Sequence, residues 1–417
     1  MDINRLAHDA KRASRRLAGA PSTTKNEALA EMADALERRM GEILQENAED
    51  VADGRRKGLS SAELDRLLLD ETRVRAMAES LRLIIALPDP VGEVVEGWRT
   101  PEGLEIQKKR VPFGVIAVIY EARPNVTVDA AALCLKTGNS VILRGGGDAY
   151  HSNRLLADVI TGAVLDAGLP GEAIQFVASR ERDVLLDLLQ LVGVVDLVIP
   201  RGGEELKRFV VDNSRVPVVY AAGGNCHVYV DRAADLRQAL AVTVNAKVQH
   251  PGACNSAETL LVHRAVAAEF VPRVVHELLE RKVKLHVDPA TLELLGDIAA
   301  RVGTATDREY ATEFLALEMA VKVVESLDEA LEHIERFGTG HSEAIVTRDL
   351  EAARRFTDEV DAAAVYVNAS TRFTEGGVFG MGAEIGVSTQ KLHARGPLAL
   401  KELTSTKYVV LGSGHVR

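Results

Sequence analysis

Aromatic side chains are scarce in this 417-residue chain: they fill 4% of positions, and Trp98 is the single tryptophan. The cores must therefore be built from Ala, Val, Leu and Ile. Cysteine is scarce too. Cys134, Cys226 and Cys254 lie far apart, with no C-x-x-C pair. This spacing argues against a disulfide framework and a structural zinc site, so no metal is expected and a reducing, cytoplasmic setting fits best. No apolar run is long enough to cross a bilayer, so no membrane association is expected. Positive charge is in deficit, at a net −11. Such a chain repels phosphate backbones, which disfavours a nucleic-acid role. A small anionic substrate stays open, because local basic groups override net charge. No G-x4-G-K-[ST] loop occurs. The nearest approach to G-x-G-x-x-G, Gly380-Met-Gly382 with Gly386, is one residue too long and follows no clear strand.

What is present is an ordinary globular composition, 47% hydrophobic and 27% charged, in a chain long enough for two or three domains. Arg5, Lys11, Arg12, Arg15 and Arg16 suggest a transit peptide, but Asp2 and Asp9 interrupt them and the apolar residues fall at helical spacing. An amphipathic first helix is the better reading. Thr24-Lys-Asn-Glu27 has the form of a capping box and predicts a helix start there, followed by Leu29, Met32, Leu36 and Ile43 at helical spacing. Helices continue to about Leu87, where Pro88 and Pro90 close the region. Two alternating runs, Glu93–Trp98 and Leu104–Val111, flank Thr-Pro-Glu-Gly and predict a projecting hairpin at about residues 92–112. It is either a plain surface hairpin or an oligomer contact through exposed strand edges.

Beyond it, apolar runs alternate with helical patterns. Gly114–Tyr120, Ser140–Leu143, Ile174–Val177, Leu197–Ile199 and Val216–Tyr220 read as strands, which predicts βαβ units around a mostly parallel sheet. A second series starts near Cys226, with HVYVD, ETLLVH, AVKVV, EAIVT and AAVYV as strands. The reading divides the chain into residues 1–225, 226–378 and a return segment 379–417. The last of these ends in a strand, Thr404–Leu411, expected to pair outside its own domain.

Chemistry concentrates in NAKVQHPGACNSAETLLVH. A helical run, Leu236–Val248, ends before Pro251-Gly252, and Cys254 follows in a short polar loop ahead of the strand Glu258–Val262. A loop between rigid elements suits a thiolate that must reach a substrate. Lys247 and His250 lie close enough in sequence to favour the thiolate, and the Cys254 backbone N–H could serve an oxyanion. Taken alone, a single cysteine is more often a small core residue. Two glycine clusters, Arg144-Gly145-Gly146-Gly147 and Arg201-Gly202-Gly203, each follow a strand and enter a helical pattern. Such turns can hold a phosphate, and the arginines suit one, although plain turn glycines are the commoner explanation. Arg123-Pro-Asn125 lies just past a strand's carboxyl end, a usual place for ligand groups. GTGHSEAI and LHARGP are polar, histidine-containing turns. From the residues alone the reading ends at a two-domain α/β enzyme with an anionic ligand.

The segments VPFGVIAVIYEARPNVTVDAAALCLKTGNSVILRGG, VDLVIPRGGEEL, CNSAETLLVH, VESLDEALEHIERFGTGHSEAIVT and STRFTEGGVFGMGAEIGVSTQKLHARGP carry a resemblance. On them the chain resembles the γ-glutamyl phosphate reductase branch of the aldehyde dehydrogenase superfamily, from about residue 20 to the end. The resemblance implies an α/β, aldehyde dehydrogenase-like fold. It would have a Rossmann-like cofactor domain without the glycine fingerprint, an α/β catalytic domain carrying Cys254, and a small β oligomerisation element. It implies NADPH-dependent reduction of γ-glutamyl phosphate to glutamate 5-semialdehyde in proline biosynthesis, through a thioester on Cys254. Asn125 is then a candidate oxyanion donor. Arg144, Gly145, Gly146, Arg201, Gly202, Gly203 and Glu313 are candidates for the cofactor, and Arg123, His250 and Arg395 for the substrate. A homo-oligomer and functional coupling to glutamate 5-kinase are implied as well. Tyr220-Ala-Ala-Gly-Gly224 stands where hydrolytic relatives carry a glutamate base, and the missing carboxylate suits a thioester exchanged with phosphate rather than water. His250 stands where the branch more usually has Arg, and Ala369 where it has Ser. The rival readings are a superfamily oxidoreductase for a different semialdehyde and a catalytically silent scaffold.

Overall fold

The computed structural model describes residues 1–220 and 223–417. The chain forms two compact units: Met1–Ala221 with Gly380–Gly386 and Pro397–Arg417, and Ala222–Phe379 with Val387–Gly396.

The first unit opens with five helices: α1 (Ile3–Leu17), α2 (Ser22–Arg38), α3 (Met40–Arg56), α4 (Ser61–Leu67) and α5 (Glu71–Ala86). Asp2 caps α1 by accepting the Arg5 N–H, and the helix buries Ile3, Ala7, Ala10 and Leu17, as its amphipathic pattern demands. α2 starts earlier than the Thr24–Glu27 pattern suggested. Pro21 occupies the cap without a side-chain bond, which leaves Thr24 inside the helix. Lys25 is instead a buried cation, paired with Asp89. True capping boxes form at Ser60/Glu63 and Thr306/Glu309.

The predicted hairpin is present as β1 (Val94–Arg99) and β2 (Glu105–Pro112), closed by a Thr100 N–H to Leu104 carbonyl bond. The tail strand Thr404–Leu411, expected to pair outside the return segment, pairs antiparallel with β2, from Thr404↔Pro112 to Leu411↔Glu105, and so completes a three-stranded sheet.

β3 (Val115–Tyr120), α6 (Asn125–Lys136), β4 (Ser140–Gly145), α7 (Tyr150–Asp166), β5 (Ile174–Phe176), α8 (Arg182–Leu189), β6 (Leu197–Arg201) and α9 (Glu204–Asn213) follow. The strands form a parallel sheet in the order β5-β4-β3-β6. Val115, Ala117 and Ile119 of β3 pack on Ile3, Ala7 and Ala10 of α1 and on Leu185 and Leu188 of α8. Val216–Tyr220 is not a strand. Pro217 has no N–H to give a ladder, and the segment makes only an isolated bridge between Val218 and Val198.

The second unit contains β7 (Cys226–Val230), α10 (Leu236–Val248), β8 (Ala257–His263), α11 (Arg264–Glu280), β9 (Lys284–Val287), β10 (Gly303–Thr304), β11 (Glu318–Val324), β12 (Ser342–Val346) and β13 (Ala364–Val367). All pair in parallel in the order β10-β9-β11-β8-β7-β12-β13. Alternation decides the two faces. Val228 and Val230 join the cluster of Val271, Val274 and Val275 from α11. Tyr229 packs on the opposite face with Phe356 and Ile334, from the helices Leu350–Glu359 and Leu327–Phe337.

The entry to β3 depends on Asp196. Its carboxylate accepts the Val115 N–H at 2.8 Å and the Lys11 ammonium at 2.6 Å, and it lies directly against Gly114, whose φ is +126°. Gly114→Ala adds strain and pushes the carboxylate aside. It should cost about 2–3 kcal/mol, read as a lower urea midpoint with unchanged slope. An unaltered midpoint would show that Asp196 does not fix this turn.

Candidate active site

Cys254 is half-buried in the loop between α10 and β8, at the amino edge of the second unit's sheet. The loop is tied down on each side. Asn255 donates through Nδ2 to the Thr374 carbonyl at 2.9 Å, and its own carbonyl accepts the Thr371 hydroxyl at 2.7 Å. Ser256 Oγ donates to the Ala246 carbonyl, and the Ala253 N–H to the His250 carbonyl. Below the nucleophile, Cys226 Sγ donates to the Cys254 carbonyl at 3.3 Å. Gly224 sits so near that carbonyl oxygen that any side chain at 224 would overlap it.

The segment that supports Cys254 is itself anchored. Gly224 donates its N–H to Glu313 Oε1 at 2.6 Å, and Asn225 donates its N–H to Thr339 Oγ1 at 3.0 Å. Glu343 accepts both the His227 N–H and Nδ1. Glu313, expected to hold a nicotinamide ribose, thus stands on the Gly223-Gly224 turn, where the sequence lacks the hydrolytic glutamate. Ala221 and Ala222 of that stretch lie outside the described residues. The GTGHSEAI turn supplies Thr339 and Glu343 to the same framework.

The charges near the thiol differ from the expected ones. Lys247 does not serve Cys254. It is fully buried and donates to Glu258 Oε2 at 2.6 Å, joining the last turn of α10 to the first turn of β8. Burial pushes Glu258 up to about 7 and Lys247 down, and each partner's charge pulls the other back. Glu258 Oε1 also takes the N–H of Leu315, a non-glycine residue with φ +52°. His250 is exposed. Arg395 ion-pairs with Asp361 at 2.8 Å beside Lys391, and its Nε is buried without a partner among the described residues. Arg372, half-buried and held through Nε by Gln249, interacts electrostatically with Glu375 and with Cys254. The other thiols are sequestered: Cys134 and Cys226 are buried, and desolvation raises both.

In the first unit, Arg144 and Arg201 end neighbouring strands on either side of β3. Arg144 pairs with Ile119 and Arg201 with Tyr120, at the sheet's carboxyl edge. Both carry a buried Nε with no partner among the described residues. The adjacent glycines answer to packing. A side chain at Gly145 would strike Asn153, and one at Gly146 would press on the Glu121 backbone at 3.3 Å. At the second cluster an anion is already seated: Glu121 Oε2 accepts the Gly203 N–H at 2.7 Å and crowds Gly202. That turn therefore holds a carboxylate of this chain where a ligand phosphate was expected. Asn125 opens α6, and its amide Nδ2 donates to Asp129 at 3.0 Å. Arg123 lies at the same end of α6.

A profile of the aldehyde dehydrogenase family matches residues 1–293 and 307–409. The chain belongs to the aldehyde dehydrogenase family. A γ-glutamyl phosphate reductase of Heliobacterium modesticaldum is 55% identical over 408 residues, 98% of this chain and 97% of that one. Another, of Thermoanaerobacter sp. (strain X514), is 51% identical over the full length of both. The crystal structure of γ-glutamyl phosphate reductase from Thermotoga maritima matches with a TM-score of 0.96 and 46% identity, covering 100% of each chain. An acetylating aldehyde dehydrogenase from Geobacillus thermoglucosidasius, 17% identical with a TM-score of 0.71 over 100% of this chain and 97% of that one, shares the fold. The parallel sheets and the small antiparallel sheet of this family member are thus the aldehyde dehydrogenase architecture that the resemblance implied.

Sequence reasoning missed Arg372 and Cys226, because both reach the Cys254 loop from distant segments and no spacing rule connects them. Two measurements probe the site. Iodoacetamide at neutral pH should label Cys254 and spare Cys134 and Cys226, with Arg372→Gln slowing that labelling roughly 3- to 10-fold. Peptide mass mapping reads both, and equal labelling of all three thiols would contradict the assignment. Lys247→Met strands the Glu258 carboxyl and should cost about 3–5 kcal/mol, while Lys247→Met/Glu258→Leu recovers part of the loss. Strictly additive losses in urea titrations would show that the two side chains are not coupled.

Proposed function

We propose that this family member is a γ-glutamyl phosphate reductase, making glutamate 5-semialdehyde and phosphate from γ-glutamyl phosphate and NADPH, as a step of proline biosynthesis. The observation that carries this is Cys254. It is the one half-exposed thiol of three, on a loop tied to Cys226, Thr371 and Thr374, in a chain that matches such reductases end to end.

The Cys254 thiolate, favoured by Arg372, attacks the acyl carbon. The new S–C bond gives a tetrahedral oxyanion, held by backbone N–H groups of the rigid loop. The C–O bond to phosphate then breaks, phosphate departs and a thioester remains on Cys254. When bound, the reduced nicotinamide supplies the hydride that brings the acyl group to the aldehyde level. Cys254 finally leaves as thiolate, which releases the semialdehyde. The Tyr220–Gly224 stretch itself has no glutamate, and the carboxylate beside it, Glu313, is bound by the Gly224 N–H; in this reading the thioester is spared hydrolysis.

The family implies a nicotinamide cofactor, and the first unit's residues fit one. Arg144 and Arg201 present orphaned buried N–H donors at the carboxyl edge of a parallel sheet, suited to an anionic dinucleotide and, in this reading, to the 2′-phosphate of NADPH. Gly145 and Gly146 let the chain pass closely beside them. Glu313, oriented by the Gly224 N–H, is the group for the nicotinamide ribose. His250 and Arg395 are assigned to the substrate. The three-stranded sheet exposes Val94, Trp98, Tyr408 and Val410, with Trp98 and Tyr408 edge to face at 6.1 Å. That apolar surface suits the contact of a homo-oligomer. The acyl phosphate is short-lived, so a glutamate 5-kinase must work alongside in the same cytoplasmic compartment.

Cys254→Ser replaces the thiolate with a poorly ionised hydroxyl. Phosphate-dependent reduction of NADP⁺ by glutamate 5-semialdehyde should fall by at least about 10³-fold, with unfolding temperature unchanged. Turnover near that of the parent would refute the covalent step.

A further inference from the structure

Cys254 and Asn255 are the two central residues of a β-turn, closed by the Ser256 N–H on the Ala253 carbonyl at 3.0 Å. Neither has a positive φ, so the turn has the type I form. The peptide between two such residues is the part of a β-turn that can flip. Rotating it by about 180° gives the type II form, in which Asn255 would take a positive φ. Asparagine accepts that conformation more readily than most residues, so both orientations are open to this turn. They differ in one chemical respect. A trans peptide points its carbonyl and its N–H in opposite directions, so the flip exchanges the Cys254 carbonyl with the Asn255 N–H.

The structure selects one orientation through Cys226. Its thiol donates to the Cys254 carbonyl at 3.3 Å. The other acceptor near it, His341 Nδ1, is 3.9 Å away and already shares a hydrogen bond with Ser342 Oγ at 2.9 Å. Burial raises the Cys226 thiol well above its ordinary range, so it keeps the proton that it donates. An S–H bond is weak on its own, and Gly224 adds to it by letting the carbonyl lie directly against the chain. In the flipped turn the Asn255 N–H would face the buried thiol, and neither donor would have an acceptor. As it stands, the Asn255 N–H is directed away from Cys226 and makes no hydrogen bond among the described residues.

We propose that Cys226 is a positioning residue: its S–H latches the Cys254–Asn255 peptide so that the Asn255 N–H serves as an oxyanion donor to the acyl group that Cys254 attacks. The proposal rests on the covalent reading of Cys254 and names a donor that this reading left open. A backbone N–H on the residue after a nucleophile suits this task when the nucleophile sits on a tight turn. The bond that the thiol makes to the carbonyl also polarises the peptide, which strengthens its N–H as a donor. Cys226 itself touches no substrate.

The latch acts only on reactions that pass through an oxyanion, which separates it from ordinary support of the loop. Acylation of Cys254 by p-nitrophenyl acetate forms an S–C bond and a tetrahedral oxyanion, then expels nitrophenolate. Alkylation by iodoacetamide displaces iodide at a saturated carbon and forms no oxyanion. In the full chain, Cys226→Ala should slow acylation roughly 10- to 30-fold, read as nitrophenolate release, and leave alkylation of Cys254 within about twofold. Cys226→Ser keeps a donor and should recover most of the acylation rate. In phosphate-dependent oxidation of glutamate 5-semialdehyde, Cys226→Ala should lower kcat about as much, with KM within about twofold. Equal losses in acylation and alkylation would mean that the thiol only stiffens the loop. An unchanged acylation rate would mean that the Asn255 N–H is not the donor, and either result overturns the latch. If the contrast holds but the parent does not oxidise the semialdehyde, the reductase reading falls and the latch stands. Cys226→Val fills the space without a donor and takes the place of the alanine variant should that one fail to fold.

Discussion

The carbonyl of Cys254 has almost no freedom, and the chemistry of the second unit depends on that. Gly224 blocks it on one side and the Cys226 thiol holds it from below. With the peptide plane fixed, the direction of the sulfur and of the neighbouring N–H groups is fixed as well, before any substrate arrives. Preorganisation of this kind lowers a barrier without any cost at the moment of reaction. The parallel sheet makes it possible. The loops that enter β7, β8, β11 and β12 emerge at one edge, so Gly224, Cys254, Glu313 and Thr339 become neighbours although the sequence scatters them.

How much of this was legible depended on the range of each interaction. α10 and β8 were readable because helical periodicity and an apolar run each act over a few residues, and the structure places α10 at Leu236–Val248 as read. β9 was missed: Lys284-Leu-His-Val287 alternates, but four residues are too short a run to stand out, and neighbouring strands supply its stability. The capping pattern at Thr24 misled because Pro21 sets the helix start through its fixed φ, whatever follows. The role of Cys254 could be guessed from its polar loop, but the cation beside it could not. Lys247 is near in sequence yet faces inward to Glu258, whereas Arg372 arrives from the segment after β13.

The glycines teach a related lesson. Both glycine-rich turns of the first unit look alike as sequence. Gly145 and Gly146 are demanded by close packing against Asn153 and Glu121, while Gly202 and Gly203 wrap a carboxylate of the chain itself. Neither pair needs a phosphate to explain it. The stronger sign of an anionic partner is the unpartnered guanidinium nitrogen on Arg144 and on Arg201, since a buried donor without an acceptor is costly unless something else completes it.

Charge also explains why a lone cysteine at this place needs help. Cys254 lies in the loop beyond Val248, the last residue of α10, so no helix amino end favours its thiolate. A cysteine at a helix amino end would have that advantage. Lys247 lies in the last turn of α10, but Glu258 compensates its charge in full, so the pair contributes rigidity and little net field. Arg372, which Glu375 draws on as well as Cys254, is half-buried, so solvent screens its charge only in part. A net charge of −11 over the whole chain matters little at this point, because distant surface carboxylates are screened within about 8–10 Å of salt solution. A guanidinium in a partly desolvated loop therefore acts on this thiol more directly than the excess of acids elsewhere.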